Sequence, residues 1–493
     1  MDIRVPSLYA EPRRILDVEE AVTKLRSIMP DLEANWLRER LLGDLGFVWI
    51  KRELTPEIRD QVMALGLPGL DFLTESRRFY PGTNQAAHVL GSVNVDNQGI
   101  AGIERSINTQ GLAALQEFGI ARDQPLVPVR LSLDARVQHA MTEELADALV
   151  RYKSVASAGA LMDVRTGEIY ALASLPDFDP NSPETALVEG RFNRITAGNF
   201  ELGSVVKAVA FAAALDSGAV RLTDSFDARF PLRFGRQSIS DFRGENRILS
   251  VPEIFRYSSN VGTAQMVAQL GPDNYRAFFE KLGFDRSLQT ELPELTRPNV
   301  PAAFSEIVAA TAAFGHGFSI SPLHMLRAVA AFVNGGKLVQ PTFYPASPDA
   351  WASAPQVITP ETSANLRYLL RMNAVVGSGS RMNRISLGYR VGGKTGTAEK
   401  VVKGRYDSGV NLNVFITAFP MEAPRYAMII LVDEAVAENP QSGNTAGWNA
   451  GEVSGRIIAR VAPMLSIPPT TNFAADDSAL VPPELRARGL TLP

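Results

Sequence analysis

Ser204 and Lys207 have the spacing of a nucleophile and its base. Positions three apart lie on one face of a helix, so the two side chains can meet. The helix predicted to continue to Leu215 is apolar on nearly every side, and a lysine buried there tends to lose its proton. A neutral amine beside a hydroxyl is a general base beside a nucleophile, and free N–H groups at the helix start can stabilise an oxyanion. The non-catalytic interpretation is a capping serine and a lysine that extends to solvent.

A second candidate is the turn Ser258-Ser259-Asn260, where Ser258 and Asn260 can both point into one cleft. A capping box that starts at Ser250 predicts a helix before it, and a further helix is expected from Val261. The Ser-x-Asn pattern has little weight alone, because four other copies begin at Ser92, Ser106, Ser363 and Ser442. Only its position between the other two motifs distinguishes this copy.

The third candidate is Lys394-Thr395-Gly396-Thr397, which follows two more glycines. Glycine in a strand lets a ligand or another backbone approach closely. An extended segment of this composition at a sheet edge could pair with a peptide, while Lys394 and the hydroxyls of Thr395 and Thr397 meet a carboxylate. A glycine-rich turn is the non-catalytic alternative.

The same region, from Gly388 to Thr395, also matches the phosphate-loop pattern GxxxxGK[ST], and Met428–Glu434 is similar to the acidic strand of nucleotide hydrolases. A phosphate loop should begin a helix, but Gly396 stands where that helix would start. Only about a hundred residues follow Lys394, which leaves little room for a parallel nucleotide-binding sheet. A P-loop NTPase is therefore the alternative from a different functional class.

Composition argues against several further classes of function. A formal net charge of -4 without a basic stripe argues against nucleic-acid binding. There is no cysteine, and the four histidines lack the spacing of metal ligands, so we expect no metal site. No apolar run approaches the roughly 20 residues that span a bilayer.

The chain of 493 residues is too long for one ordinary domain. Helices are predicted over Val18–Met29 and Leu32–Leu42, a strand over Leu126–Leu133, and a long helix after Asp134. Strands at both ends of the remaining chain, with helices between them, predict an α+β domain whose sheet is assembled from distant segments. The expected domains are 1–152, 153–465 and a loose Pro-rich tail, 466–493.

The combination of the three motifs resembles the class B penicillin-binding proteins, in particular the division-type (septal) transpeptidases. The resemblance extends over roughly residues 1 to 465 and includes further segments: Tyr80–Gly91, Gly99–Glu104, Leu131–Asp134, Asp163–Gly167, Ala173–Pro176, Phe178–Asn181, Gly315–Gly317, Ser321–Leu323 and Asn334–Gly336. Leu202 and Val205 depart from the usual Pro and Thr without removing a catalytic atom.

The resemblance implies a role for each motif residue. Ser204 would attack the D-Ala carbonyl, Lys207 would act as the base, and Ser258 would relay a proton to the leaving group. Asn260 would orient Lys207 and the substrate amide, and Ser259 and Gly396 would belong to the substrate-binding part of the site. Lys394 would raise the local positive field, and Thr395 and Thr397 would bind the substrate carboxylate. The resemblance implies no metal or cofactor. The N–H groups of Ser204 and Thr397 would form the oxyanion hole, and β-lactams would acylate Ser204.

The resemblance also implies a cellular setting and a fold. The fold would be a mainly antiparallel sheet flanked by helices, with a helical subdomain and an elongated N-terminal pedestal. The substrates would be peptidoglycan stem peptides, the partners divisome proteins including a membrane glycosyltransferase, and the location the periplasmic face of the inner membrane. An N-terminal membrane helix would precede Met1. An elongation-type transpeptidase, a β-lactamase or a non-catalytic scaffold of the same fold are the remaining alternatives.

Overall fold

The computed structural model describes residues 1–109, 128–347, 349–402, 405–470 and 473–492. Numbered along the chain, the strands are β1 (Asp2–Ala10), β2 (Val48–Lys51), β3 (Leu70–Arg78), β4 (Ala156–Asp163), β5 (Ile169–Leu175), β6 (Ser225–Asp227), β7 (Leu232–Phe234), β8 (Gln237–Ile239), β9 (Ile248–Ser250), β10 (Gly392–Val402), β11 (Arg405–Phe419) and β12 (Tyr426–Asp433).

The α-helices are α1 (Val18–Ile28), α2 (Ala34–Leu41), α3 (Pro56–Ala64), α4 (Ala87–Leu90), α5 (Gly102–Thr109), α6 (Ala135–Arg151), α7 (Lys207–Asp216), α8 (Val251–Tyr257), α9 (Asn260–Leu270), α10 (Pro272–Lys281), α11 (Glu306–Ala312), α12 (Pro322–Val333), α13 (Ala350–Ser353), α14 (Pro360–Val376), α15 (Ser380–Ile385), α16 (Ala450–Met464), α17 (Phe473–Leu480) and α18 (Pro483–Arg486). Short 3₁₀ turns occupy Pro12–Arg14, Pro183–Leu187 and Gly203–Val206.

The N-terminal region is a small antiparallel sheet of order β2-β1-β3, with α1, α2 and α3 packed on it. Leu8 of β1 and Leu25 and Leu37 of the helices are buried in a core of its own. The Asp17 side chain caps α1 by accepting a hydrogen bond from Glu20 N. The two helices predicted here are confirmed within one or two residues at each end.

The large sheet has the order β10-β11-β12-β4-β5, with antiparallel pairing throughout. Its strands come from residues 156–175 and 392–433, so the prediction of a sheet assembled from distant segments is confirmed. The turn between β4 and β5 requires Gly167, which has φ +78 and would place a Cβ 2.1 Å from the Gln340 carbonyl oxygen.

Two cores cover the faces of this sheet. One face packs on the buried helices α7, α8, α9, α12 and α14 in the largest hydrophobic cluster of the described chain. That cluster also takes in Val89 and Ile103 from the segment between the N-terminal sheet and α6. The other face packs on α6 and α16. The strand β10 is left at the sheet edge, where it can accept a further extended chain.

Two local predictions are wrong. The predicted strand Leu126–Leu133 is not formed over residues 128–133, which are irregular. Ser132 N donates a single hydrogen bond to Phe343 O (2.8 Å), which belongs to no strand pairing. Leu126 and Val127 lie outside the described residues. The tail is not loose: within its described part, Val481 and Leu485 are buried in the largest core, and Asp477 pairs with buried Arg371 (2.9 Å). Over the described residues, no helix is long and apolar enough to cross a membrane.

Candidate active site

Ser204 lies in the 3₁₀ turn Gly203–Val206, which leads directly into α7. α7 consists largely of alanine and other apolar residues, and nearly the whole helix is buried in the core. It is therefore a rigid base for the turn. Gly203 has φ +58, a conformation that favours glycine, and it brings the half-buried Ser204 side chain into the cleft.

Three glycines let separate backbone segments touch around this turn. A Cβ on Gly396 of β10 would lie 2.4 Å from the Leu202 carbonyl oxygen, and one on Gly315 would lie 2.2 Å from that of Gly203. A Cβ on Gly203 would lie 2.9 Å from the Thr397 carbonyl oxygen. The Ser204 turn is therefore seated directly on the backbone of β10, next to Thr397.

Lys207 is fully buried, as the sequence predicts. Its hydrogen bonds run to the second motif: Nζ donates to Ser258 O, and lies 2.7 Å from Asn260 Oδ1 and 3.0 Å from Ser258 Oγ. Burial lowers the pKa of Lys207 well below its usual value, and the charge of Lys394 lowers it further. The amine is thus prepared to accept a proton from a hydroxyl in the cleft.

The turn between α8 and α9 presents the second motif. Ser258 ends α8 in the left-handed conformation with φ +57, and Asn260 begins α9. The capping box expected before it is present between Ser250 and Glu253. This tight geometry aims the Ser258 hydroxyl and the Asn260 amide at the same lysine.

Asp241 holds this turn and was not anticipated from the sequence. Its carboxylate accepts hydrogen bonds from Ser259 Oγ (2.7 Å), Asn260 N (2.5 Å) and Val261 N (3.0 Å). Its charge also favours the protonated form of Lys207, although burial is the larger influence on that pKa. Asp241 lies in a loop 19 residues before Asn260, so no local pattern joins it to the motif.

Lys394 on β10 is the second fully buried lysine of the cleft. Its Nζ donates to Ser258 Oγ (2.9 Å) and to Thr395 O (3.2 Å), and it stands 5.9 Å from the Phe255 ring centroid. Burial lowers the pKa of Lys394 to about 7. The aromatic ring and two neutral oxygens lie around its charge, and no carboxylate of the described residues forms a salt bridge with it.

One hydroxyl therefore connects two lysines. When Lys394 is charged and donates to Ser258 Oγ, the Ser258 O–H proton is free to point to the lone pair of a neutral Lys207. This arrangement can accept a proton at Lys207 and return it through Ser258. The mutual repulsion of two buried ammonium groups opposes charging both at once.

The hydroxyls of the third motif lie on the other face of β10, because side chains alternate along a strand. Thr395 Oγ1 donates to Ser378 Oγ (2.7 Å), and Thr397 Oγ1 lies 3.1 Å from Asn413 Oδ1 and accepts from Ala446 N (3.2 Å). Both threonines remain half-buried at the open edge of the sheet.

Glu201 attaches the Ser204 turn to its surroundings and was also missed in the sequence. Its carboxylate accepts from Gly317 N (3.1 Å) and from the Tyr406 hydroxyl (3.0 Å). Hydrogen bonds thus join Lys207, Ser258, Asn260 and Lys394. The Ser204 turn leads into Lys207 and lies against β10, the strand that carries Lys394, Thr395, Gly396 and Thr397. Ser259 faces Asp241 instead of the cleft and is 2% exposed.

The phosphate-loop interpretation is wrong. Residues Gly392–Val402 form a strand, whereas a phosphate loop must begin a helix at its lysine. Lys394 points at Ser258, and the neighbouring strands pair antiparallel rather than as parallel βαβ units.

Comparison with known sequences gives the family of this fold. The model of the penicillin-binding protein transpeptidase domain matches residues 158–458. "Probable peptidoglycan D,D-transpeptidase FtsI" of Caulobacter vibrioides is 35% identical over 476 residues, which cover 95% of this chain and 79% of the relative. "Peptidoglycan D,D-transpeptidase FtsI" of Escherichia coli is 28% identical over 455 residues, covering 88% of this chain and 75% of the relative.

Solved structures give the same fold. The transpeptidase domain of penicillin-binding protein 3 from Burkholderia pseudomallei superimposes with a TM-score of 0.62 at 25% identity, covering 71% of this chain and 100% of that one. Penicillin-binding protein 3 from Mycobacterium tuberculosis, solved with aztreonam, has a TM-score of 0.69 at 23% identity, covering 81% of this chain and 92% of that one. The predicted α+β transpeptidase fold is confirmed.

Proposed function

The chain belongs to the penicillin-binding protein transpeptidase family, and we propose that Ser204 is the nucleophile through which it cross-links peptidoglycan. The enzyme is a serine-type peptidoglycan D,D-transpeptidase of the class B, division type, and a β-lactam target. The observation that carries the assignment of Ser204 is the pair of fully buried lysines that share the Ser258 hydroxyl beside its turn.

Acylation begins when Ser204 Oγ attacks the carbonyl of the penultimate D-Ala residue. Neutral Lys207 takes the hydroxyl proton, and the backbone N–H groups of Ser204 and Thr397 stabilise the oxyanion. The close seating of Gly203 on β10 supports this pairing of the two N–H groups.

The proton then passes from Lys207 through Ser258 to the leaving amine, so that D-Ala departs neutral at nitrogen. The hydroxyls of Thr395 and Thr397 hold the carboxylate of the departing residue, and buried Lys394 raises the local positive field, while Asn260 orients Lys207. An acceptor amine attacks the Ser204 ester by the reverse route, which forms the cross-link and restores the serine.

The cellular assignments belong to this proposal as well. In this proposal residues 1–152 form the pedestal, 153–465 the catalytic domain and 466–493 a C-terminal extension. The separate N-terminal core lies within residues 8–72, whereas α6 packs on the large sheet. The FtsI names of the relatives support a septal role. A periplasmic location of the catalytic domain and divisome partners, including a membrane glycosyltransferase, are what the family resemblance implies. No metal or cofactor is required by the steps above.

Intact-mass spectrometry with benzylpenicillin tests the assignment of Ser204. The wild-type chain should gain the mass of one penicillin, whereas Ser204→Ala should gain none. Ser217→Ala is a matched control, because Ser217 lies at the far end of α7 and should leave labelling unchanged. An adduct on Ser204→Ala, or none on the wild type, would contradict the proposal.

A further inference from the structure

A cavity of about 380 Å³ opens beside the middle of α12. Its polar groups come from the side chains of Thr166, Gln289, Glu291, Arg327 and Gln340, and none of the residues that line it belongs to the three catalytic motifs. A water molecule takes about 30 Å³ of liquid volume, so the cavity has room for roughly a dozen waters or for a small polar ligand.

Arg327 carries a charge that no group of the described chain neutralises. Every other residue of α12 is buried, so this arginine stands in the middle of an apolar helix. Its Nε is buried without a hydrogen-bond partner, and no carboxylate of the described residues forms a salt bridge with it. Burial lowers the pKa of Arg327 to about 10, and the charge of Arg286 lowers it further. The group is still a cation at neutral pH, and leaving it partly dehydrated without an anion costs free energy.

Arg286 brings a second guanidinium group close to the first. Both side chains pass the backbone at Gly283, where an added Cβ would lie 3.3 Å from Arg327 Nη1 and 3.7 Å from Arg286 Nε. Arg286 Nη2 donates to Glu280 O (2.8 Å), and its Nε lies 3.2 Å from Asp285 Oδ1. Its side chain is nevertheless 66% exposed. Because Asp285 contacts Arg286 and not Arg327, the two cations exceed the one acid beside them.

Glu291 is the acid of the cavity wall, and its oxygens already have other partners. They accept hydrogen bonds from Thr342 Oγ1 (2.5 Å) and Phe343 N (2.8 Å). Glu291 forms no salt bridge with Arg327 within the part of the chain that the structure describes. Its charge therefore weakens the attraction of the cavity for an anion without removing it.

We propose that this cavity binds a phosphate group, free or as an ester, between Arg327 and Arg286. A carboxylate presents two oxygens in one plane, which suits a single guanidinium group. A phosphate presents oxygens in three dimensions and can meet two guanidinium groups that come from different segments of the chain. The inference goes beyond the proposed function and does not depend on it, because none of these residues acts on Ser204.

Equilibrium dialysis of the full chain against ³²P-labelled inorganic phosphate tests the inference, with the ionic strength held constant by chloride. We expect saturable binding at one site. Arg327→Gln should weaken it about tenfold or more, because a charged hydrogen-bonding group is lost. Arg286→Gln should weaken it less, because that side chain is mostly exposed. Arg229→Gln is the matched control, because it removes an exposed arginine that pairs with its neighbour Asp227.

Two further measurements distinguish an arginine that binds a ligand from one that stabilises the fold. Glu291→Gln should tighten phosphate binding several-fold, because it removes a negative charge from the wall. Without phosphate, the thermal unfolding midpoint of Arg327→Gln should not fall below that of the wild type, because the variant loses an unpaired cation. A clear fall would mean that a group of the protein already pairs with Arg327, and it would overturn the inference.

Competitors identify the source of the phosphate. Displacement of the label by glycerol 3-phosphate supports a small phosphate ester. Displacement by phosphatidylglycerol vesicles, and not by phosphatidylcholine vesicles, supports an anionic lipid headgroup. The inference is overturned if the wild-type chain takes up no phosphate, if Arg327→Gln binds it as tightly, or if acetate displaces the label as well as unlabelled phosphate does. Each of these results leaves the assignment of Ser204 untouched.

Discussion

The catalytic cleft and the contact between α6 and α16 both hold cations, but the cleft buries its lysines whereas the arginines of the helix contact remain more than a third exposed. At the helix contact, Glu144 accepts from Arg456 (2.7 Å) and Arg460 (2.9 Å), so each arginine meets a carboxylate. In the cleft, Lys207 and Lys394 are fully buried and share one neutral hydroxyl.

The difference separates charges that stabilise the fold from charges that prepare a reaction. A paired arginine remains charged and fixes one helix against another. A buried lysine without a bonded carboxylate has its pKa lowered toward neutrality, so that it can exchange a proton during catalysis. Among the described residues, the lysines whose pKa is lowered by burial are Lys207 of the first motif and Lys394 of the third.

The largest effect should come from removing the base. Lys207→Ala should slow penicillin acylation about a thousandfold, because general base catalysis typically contributes 10²–10⁴. Stopped-flow or mass-resolved acylation kinetics measure this. Lys24→Ala removes an exposed lysine paired with Glu20 on α1 and serves as control. Acylation of Lys207→Ala within tenfold of the wild type would mean that another group is the base.

A smaller loss of acylation rate is expected when the Ser204 turn is displaced but its reactive groups are kept. In Gly396→Ala the new Cβ meets the Leu202 carbonyl 2.4 Å away and pushes the Ser204 turn off β10. A displacement on this scale should cost roughly 100-fold in acylation rate. Gly46→Ala is the matched control, since its Cβ meets only the flexible Arg13 side chain at 3.5 Å. Equal rates for the two variants would show that the seating is unimportant.

Removing the carboxylate that pairs with the two arginines should lower the stability of the fold and leave the acylation rate unchanged. Glu144→Gln should lower the free energy of unfolding by about 1 kcal/mol, because two partly exposed arginines lose their shared carboxylate but keep Asp147 and Glu143 as partners. Denaturant unfolding measures this, and the penicillin acylation rate should stay at the wild-type value. Glu143→Gln, on the exposed side of α6, should lose less. A large fall in acylation rate for Glu144→Gln would remove the contrast between the two regions.

The sequence predicts the motif residues because their chemistry depends on local spacing. Ser204 and Lys207 belong to one turn and the helix that follows it, and the glycine of the third motif explains a close backbone approach. Asp241 and Glu201 could not be identified in this way, since each acts on a segment brought near only by the fold.

The loose tail and the phosphate loop were wrong predictions for physical reasons as well. The tail has the Pro-rich composition of a loose segment, but Val481 and Leu485 are buried in the apolar core, and Asp477 forms a salt bridge with Arg371. The phosphate-loop pattern depends on the backbone that carries it, and here that backbone is an extended sheet edge.

The most direct test of the account is a ¹³C NMR titration of the protein labelled at lysine Cε. The chain has nine lysines, so the signals of Lys207 and Lys394 can be assigned from Lys207→Arg and Lys394→Arg. Lys394 should titrate near pH 7 and Lys207 well below its usual value, whereas exposed lysines should titrate near their usual value of about 10.4. If Lys207 titrates with the exposed lysines, it is an ammonium at working pH and cannot be the base for Ser204.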